Sequence, residues 1–182
     1  MEDKKLKSAS KFLSLILRHQ PQLIGLTLDE NGWADVDELL DKIKEHGEDL
    51  SKGLLETIVV TNDKKRFAFN KDHSRIRASQ GHSVGIDLAL KPQSPPDILW
   101  HGTIKNFIPL IQQNGLVKMN RQHVHLSADE DTAKKVAGRR GKPVLLAIRA
   151  KEMSDKGCSF YLSENGVWLT DGVSPSFIIF PL

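Results

Sequence analysis

Apolar residues recur at helical spacing three times in the N-terminal half of the chain. Phe12, Leu13, Ile16 and Leu17 make one stripe, and Ser8 or Ser10 is expected to cap that helix. The stripe ends in "LSLILRHQP", residues 13–21, where Arg18 and His19 close an apolar run that Pro21 then halts. "VDELLDKIKEHG" places Val36, Leu39, Leu40 and Ile43 on one face, with Gly47 suited to stop the helix. "SKGLLETIVVTND" predicts a third helix, with Ser51 as its cap. The period then changes. "RFAFN" and "IRASQ" alternate as strands of a hairpin around "KDHS".

The second half alternates strand and helix. "DILWHGT" reads as a strand, after which Thr103 is expected to cap a helix "IKNFIPLIQQN" closed by Gly115. "HVHLS" is a strand, and Ser127 with Glu130 has the spacing of a capping box for "ADEDTAKKVAGRR", which Gly141 can end. "PVLLAIRA", "GVWLT" and "SFIIFPL" are β-rich. Between the halves, "LKPQSPPD" (90–97) is a stiff, extended connector. The expected architecture is α+β in two domains, residues 1–92 and 97–182. Three helices followed by a hairpin is the winged-helix order, a fold that by itself does not establish function.

Composition narrows the reading. The chain has 182 residues, 27% charged and 39% hydrophobic, with a net charge of +3, so any nucleic-acid site must be local. Its single cysteine, Cys158, excludes an intramolecular disulfide and a Cys-rich zinc site, and fits a reducing cytosol. "MEDKKLKSAS" has no hydrophobic signal core, and no apolar stretch has the length of a membrane span. The expectation is a cytoplasmic protein without a membrane partner, and a monomer.

Four short segments carry candidate chemistry. Arg18 and His19 serve either as last-turn cations that complement the helix dipole or as an anion site. Arginine brings a planar fork matched to phosphate, and histidine changes charge near neutral pH. Lys64, Lys65 and Arg66 crowd the start of the "RFAFN" strand, where lysines either guard an edge or meet phosphate. In "NRQHVHLS", strand alternation puts Val124 and Leu126 on the core face, and His123, His125 and Ser127 on the other, with Arg121 continuing that face. A polar ladder and a His-x-His zinc site both fit, although no carboxylate or cysteine completes the metal set. "WHGT" puts His101 at a strand end, and Gly102 is expected to let a ligand approach the backbone closely. Neither a Rossmann glycine fingerprint nor a Walker A loop is present.

Taken in order, "SKFLSLILRHQP", "LDENGWADVDELL", "NDKKRFAFN", "IRASQGHS", "HGT", "HVHLSADEDTAKKVAGRRGKPV" and "ENGVWLT" resemble the RNA 2′-phosphotransferase (tRNA 2′-phosphotransferase) family over nearly the whole chain. The resemblance implies a winged-helix RNA lobe joined to an ADP-ribosyltransferase-like α/β lobe that binds NAD as a co-substrate, with no metal. It implies removal of an internal 2′-phosphate of the tRNA splice-junction type. An ADP-ribosylated RNA 2′-phosphate is the intermediate; the products are 2′-hydroxyl RNA, ADP-ribose 1″,2″-cyclic phosphate and nicotinamide. The family's Arg–His–Arg–Arg set falls on Arg18, His19, Arg66 and Arg121. The NAD-side motifs fall on His101, Gly102, Thr103, His125, Ser127 and Val167, where Val167 stands in the place of the glutamate found in related transferases. Lys64, Lys65 and His123 are the further RNA or phosphate contacts expected. Two other functions share these residues: an ADP-ribosyltransferase acting on terminal phosphates of nucleic acids, and a non-catalytic winged-helix regulator with a nucleotide-sensing domain.

Overall fold

The computed structural model describes residues 2–139 and 141–181, with the side chains of residues 2 and 3 excepted. It is mixed α and β, and it divides into two compact units between Ala89 and Leu90. Each has its own apolar core.

The first unit contains α1 (Glu2–Arg18), β1 (Ala34–Asp35), α2 (Val36–Glu45), α3 (Lys52–Thr61), β2 (Phe67–Phe69) and β3 (Arg75–Ala78). α1 starts well before Ser8 and Ser10, so neither serine caps it; both lie inside the helix. Its stripe of Leu13, Ile16 and Leu17 is fully buried. The chain next enters a 3₁₀ turn at Pro21–Ile24, which Gly25 ends at φ 65°, a left-handed conformation suited to glycine. α2 is capped by Asp35, whose carboxylate accepts from the N–H groups of Asp37 and Glu38. α3 is capped by Ser51, whose hydroxyl accepts from Leu54 N–H. The strands form an antiparallel sheet of order β1–β3–β2, with Phe67 opposite Ala78 and Ala34 opposite Ile76. Leu39, Ile43, Leu55, Ile58, Phe67 and Ile76 join the α1 stripe to make the core.

The second unit contains β4 (Ile98–Ile104), α4 (Ile108–Asn114), β5 (Leu116–Val117), β6 (Val124–Leu126), α5 (Glu130–Ala137), β7 (Pro143–Arg149), α6 (Ala150–Asp155), β8 (Tyr161–Leu162), β9 (Trp168–Thr170), β10 (Gly172–Val173) and β11 (Ile178–Ile179). Among the described residues β4, β7 and β11 form one antiparallel sheet with β7 in the middle, and β6, β9 and β8 form another with β9 in the middle. β5 pairs with β10.

In the second unit two expected caps are absent. Thr103 lies buried inside β4, which runs on to Ile104, and α4 begins only after an intervening 3₁₀ turn without a side-chain cap. Ser127 does not cap α5. That position belongs to Asp129, whose carboxylate accepts from Thr132 N–H at 2.8 Å. α5 ends at Gly138 rather than Gly141. Arg140, placed by the sequence pattern in this helix, lies outside the described residues, as does Leu182 of "SFIIFPL". No described helix is long and apolar enough to cross a membrane.

Candidate functional site

In the first unit, the end of α1 is held from outside the helix. The Arg18 carbonyl, one of the orphan acceptors at a helix C-terminus, accepts from Ser83 N–H at 2.9 Å. The Ser83 hydroxyl lies 3.0 Å from His19 Nδ1. Residues 82–84 therefore dock on the last turn, and one serine addresses both residues of the pair. Arg18 is half-buried and His19 exposed. Arg18 sits in the last turn, where a cation complements the helix dipole, and His19 directly after it is held by a second segment.

Arg66 immediately precedes β2, and Asn62 holds it. The Asn62 Oδ1 accepts from the Arg66 guanidinium at 3.3 Å and from Lys64 N–H at 3.1 Å, while its amide donates to the Ser10 hydroxyl at 3.4 Å. Lys65 turns the chain with φ 41°, and its carbonyl accepts from the Ser79 hydroxyl at 2.8 Å. Lys64 and Lys65 are exposed. The Lys-Lys-Arg run is thus a tied turn that aims Arg66, rather than a loose sheet edge.

One buried group of this unit escapes pattern reading. His82 is 1% exposed, and neither ring nitrogen has a hydrogen-bond partner among the described residues. Burial, followed by the charges of Arg18, His19 and Arg77, pushes its pKa down from 6.5 to about 4, so the ring is neutral at physiological pH. Arg77, 9% exposed, lies with its guanidinium 4.5 Å from the centre of the Trp33 ring. The only sequence signal for His82 is its place between Gly81 and Ser83 in "QGHS", which carries no periodicity.

In the second unit, His125 is the hub. It sits in β6 between the buried Val124 and Leu126, as alternation requires. Arg121 donates to His125 Nδ1 at 3.1 Å, which places the proton of a neutral His125 ring on Nε2. His101 Nδ1 lies 3.2 Å from the His125 carbonyl. As that oxygen can only accept, Nδ1 of His101 carries a proton, which in a neutral ring leaves Nε2 as the acceptor. Arg121, His125 and His101 are therefore one connected set.

The expectation of a single polar strand face through residues 121–127 is only partly met. β6 spans three residues, so His123 and Ser127 fall outside it, and Arg121 reaches His125 from a loop anchored by its own N–H on the Lys118 carbonyl. His123 instead tilts against Tyr161, with ring centres 5.6 Å apart. Ser127 exchanges both backbone hydrogen bonds with Trp100, each 2.8 Å, which stitches β4 to the end of β6. Val167 immediately precedes β9, one residue before the Leu126–Trp168 pair. Its N–H and carbonyl are both tied to Ser163.

Gly102 has a packing reason of its own. A Cβ built on it would stand 2.1 Å from the Ala133 carbonyl oxygen and 2.9 Å from the Ala137 Cβ. Glycine is needed because α5 packs onto β4 at that point, on the face where a side chain would project. The described residues contain no group of three or more His, Cys, Asp or Glu side chains placed to hold a metal ion.

Comparison with known proteins gives a consistent result. A family model described as RNA 2′-phosphotransferase, Tpt1 / KptA family, matches residues 4–172. The chain is 55% identical over 180 residues to a probable RNA 2′-phosphotransferase of Flavobacterium johnsoniae, covering 99% of each sequence. It is 56% identical over 180 residues to one from Rhodopirellula baltica, with 98% of each covered. A counterpart in Escherichia coli O6:K15:H31 is 48% identical over 177 residues, covering 97% of this chain and 96% of its own length.

Proposed function

As the chain belongs to the RNA 2′-phosphotransferase, Tpt1 / KptA family, we propose that it removes an internal 2′-phosphate from RNA at the expense of NAD. The observation that carries this reading is the similarity itself, which runs from one end of the chain to the other.

Arg18, Arg66 and Arg121 are assigned to the 2′-phosphate. A phosphomonoester carries up to two negative charges, and guanidinium groups meet it in charge-assisted, geometrically matched hydrogen bonds. The exposed Lys64 and Lys65 follow the RNA backbone as point charges, and His123 is a further phosphate contact. The winged-helix reading of the first unit rests on its order of helices and hairpin, and gives the RNA a surface; the ADP-ribosyltransferase reading of the second rests on the family.

The second unit's donor set suits the co-substrate. A dinucleotide offers hydroxyls that donate and phosphates that accept. His101, fixed with its proton on Nδ1, presents an acceptor to a ribose hydroxyl, while His125 Nε2–H and the Arg121 guanidinium are donors. Thr103, Ser127, Val167 and Gly102 frame that set. NAD, when bound, supplies an electrophilic ribose carbon, C1″, and nicotinamide as leaving group.

The chemistry then runs in two balanced steps. An oxygen of the RNA 2′-phosphate forms a bond to C1″ as the bond to nicotinamide breaks, which leaves an ADP-ribosylated RNA 2′-phosphate. Phosphorus next exchanges its bond to the RNA 2′-oxygen for one to ribose O2″, whose proton passes to solvent. The products are 2′-hydroxyl RNA and ADP-ribose 1″,2″-cyclic phosphate. The departing 2′-alkoxide needs a proton, and His19 is assigned to deliver it. Its Nδ1 is engaged by Ser83, which orients the ring. Charge on the phosphoryl group is met by arginines, the role that metal ions take in many other phosphoryl transfers.

The test is incubation of the protein and NAD with an oligonucleotide bearing one internal 2′-phosphate, followed by mass spectrometry. Cyclic phosphate and 2′-hydroxyl RNA in equal amounts are expected. An accumulating RNA–ADP-ribose adduct with no cyclic phosphate would mean that the enzyme stops after the first step. Unchanged RNA with NAD present would refute the proposal.

A further inference from the structure

We propose that His82 is a positioning residue of the phosphate site: a buried, uncharged imidazole that seats residues 82–84 against the end of α1 and so sets how Arg18 and His19 meet the anion. This rests on the reading of Arg18 and His19 as phosphate ligands. Three observations lead to it.

The first is the mismatch between His82 and its surroundings. A side chain with two polar ring nitrogens is almost wholly removed from solvent, and neither nitrogen has a hydrogen-bond partner among the described residues. Buried polar groups are nearly always satisfied, and an apolar side chain of similar volume would be the more stable occupant. The polarity of this ring therefore calls for a reason other than filling space.

The second is where the ring is anchored. On one side it lies over Gly32, where even a Cβ would come within 3.4 Å of His82 Nε2. On the other side, the residue that follows it makes both contacts to the catalytic pair, Ser83 N–H to the Arg18 carbonyl and Ser83 Oγ to His19 Nδ1. Val84 N–H adds a longer approach, 3.4 Å, to the same Arg18 carbonyl. A change in how the His82 ring sits is passed directly to Ser83, and from there to both residues of the pair.

The third is charge. The groups acting on the ring are Arg18 at the end of α1, His19 directly after it, and Arg77 from β3. All are cationic or become so, and a proton on His82 would add one more like charge to a buried cluster. A neutral ring is the form compatible with the free site. An arriving phosphate offsets Arg18 and His19, so the ring and the anion are coupled through the same two side chains.

The experiment compares binding of two RNA oligonucleotides of one sequence, with and without an internal 2′-phosphate. The readout is the ratio of their affinities, measured at a temperature where each variant is folded, together with the Tm. A wild-type ratio of one would sink the phosphate reading itself, independently of His82. Given a wild-type preference for the phosphorylated RNA, His82→Leu is expected to keep or raise the Tm and to lower the ratio by about tenfold or more, the scale seen when groups supporting a binding site are lost. His82→Asn, neutral and polar, is expected to keep the ratio within about threefold of wild type. A Leu variant with the wild-type ratio overturns the proposal, and so does an Asn variant as impaired as Leu. Should the Leu variant fail to fold, the Asn variant decides: a retained ratio supports the role and a lost one refutes it.

Discussion

Adding one methyl group at Gly102 separates two explanations of that glycine. In Gly102→Ala the new Cβ would lie 2.1 Å from the carbonyl oxygen of Ala133 and 2.8 Å from its carbonyl carbon. That is about 1 Å inside any contact that a real Cβ makes, and the obstacle is helix backbone rather than the movable tip of a side chain. Relief requires α5 to lift from β4. Ala133 and Ala137, the buried residues of that helix, would lose their packing, and the pairing of Gly102 with Leu145 on β7 would be strained. Overpacking a core costs about 1–3 kcal/mol when neighbours can yield, and a backbone obstacle puts this case at or above the upper end. Gly102→Val adds two more methyl groups to the same clash. The expected result is a chemical-denaturation midpoint for Ala reduced by about 3 kcal/mol divided by the m-value, with Val lower still or unfolded. The decisive measurement pairs this with NAD affinity by calorimetry. An Ala variant with the wild-type midpoint but no NAD binding would refute the packing argument and leave approach of the ligand as the reason for Gly102.

Three further outcomes are expected. His82 is held neutral in the folded protein down to about pH 4, whereas the unfolded chain takes up a proton near 6.5; stability should therefore fall as pH drops through that window, by on the order of 3 kcal/mol in total, and His82→Asn should flatten this part of the pH–stability curve, while parallel curves would contradict it. Asp129→Ala should cost about 1 kcal/mol by removing the α5 cap, seen as a lower denaturation midpoint with an unchanged slope, and an unchanged midpoint would show that the cap is dispensable. His19→Ala should slow release of 2′-hydroxyl RNA more than consumption of substrate, by about 10²–10⁴-fold, so that labelled RNA–ADP-ribose builds up on a single-turnover gel; equal slowing of both would assign His19 to the first step or to binding.

The long elements were legible because their pattern is local. α2 and α3 each bury one face at a 3.6-residue period, and Ser51 announces its helix. The hairpin of β2 and β3 follows from alternating residues around a polar turn. What stayed hidden was too short or too dependent on neighbours. β5, β8 and β10 are two residues each, less than one full alternation. α6 follows β7 directly, with no capping side chain to mark its start. Ser127 and Thr103 look like caps by spacing, yet tertiary pairing draws one to Trp100 and the other into β4, and Asp129 then takes the α5 cap. At the site, Arg18, His19 and Arg66 stood out as cations at element ends. Ser83 and His82 did not, because what they touch is distant in sequence, where no spacing rule exists, and Asn62 did not because its hold on Lys64 and Arg66 depends on how the turn after α3 closes.

The hold of Asn62 on Arg66 has a consequence for how an anion is met. Among the described residues Arg66 forms no ion pair; a neutral amide oxygen at 3.3 Å steers it. A carboxylate in that place would aim the guanidinium as well, but would already have cancelled its charge. An incoming phosphate would then have to compete with a resident anion, and the on-rate would carry the delay of that exchange. With an amide as the guide, the arginine is aimed and still fully charged, so recognition at this position is an addition instead of a substitution. Mobile anions are then the rivals for Arg66, so the share of the salt dependence of binding that is lost when Arg66 alone is replaced reads how much this arginine contributes.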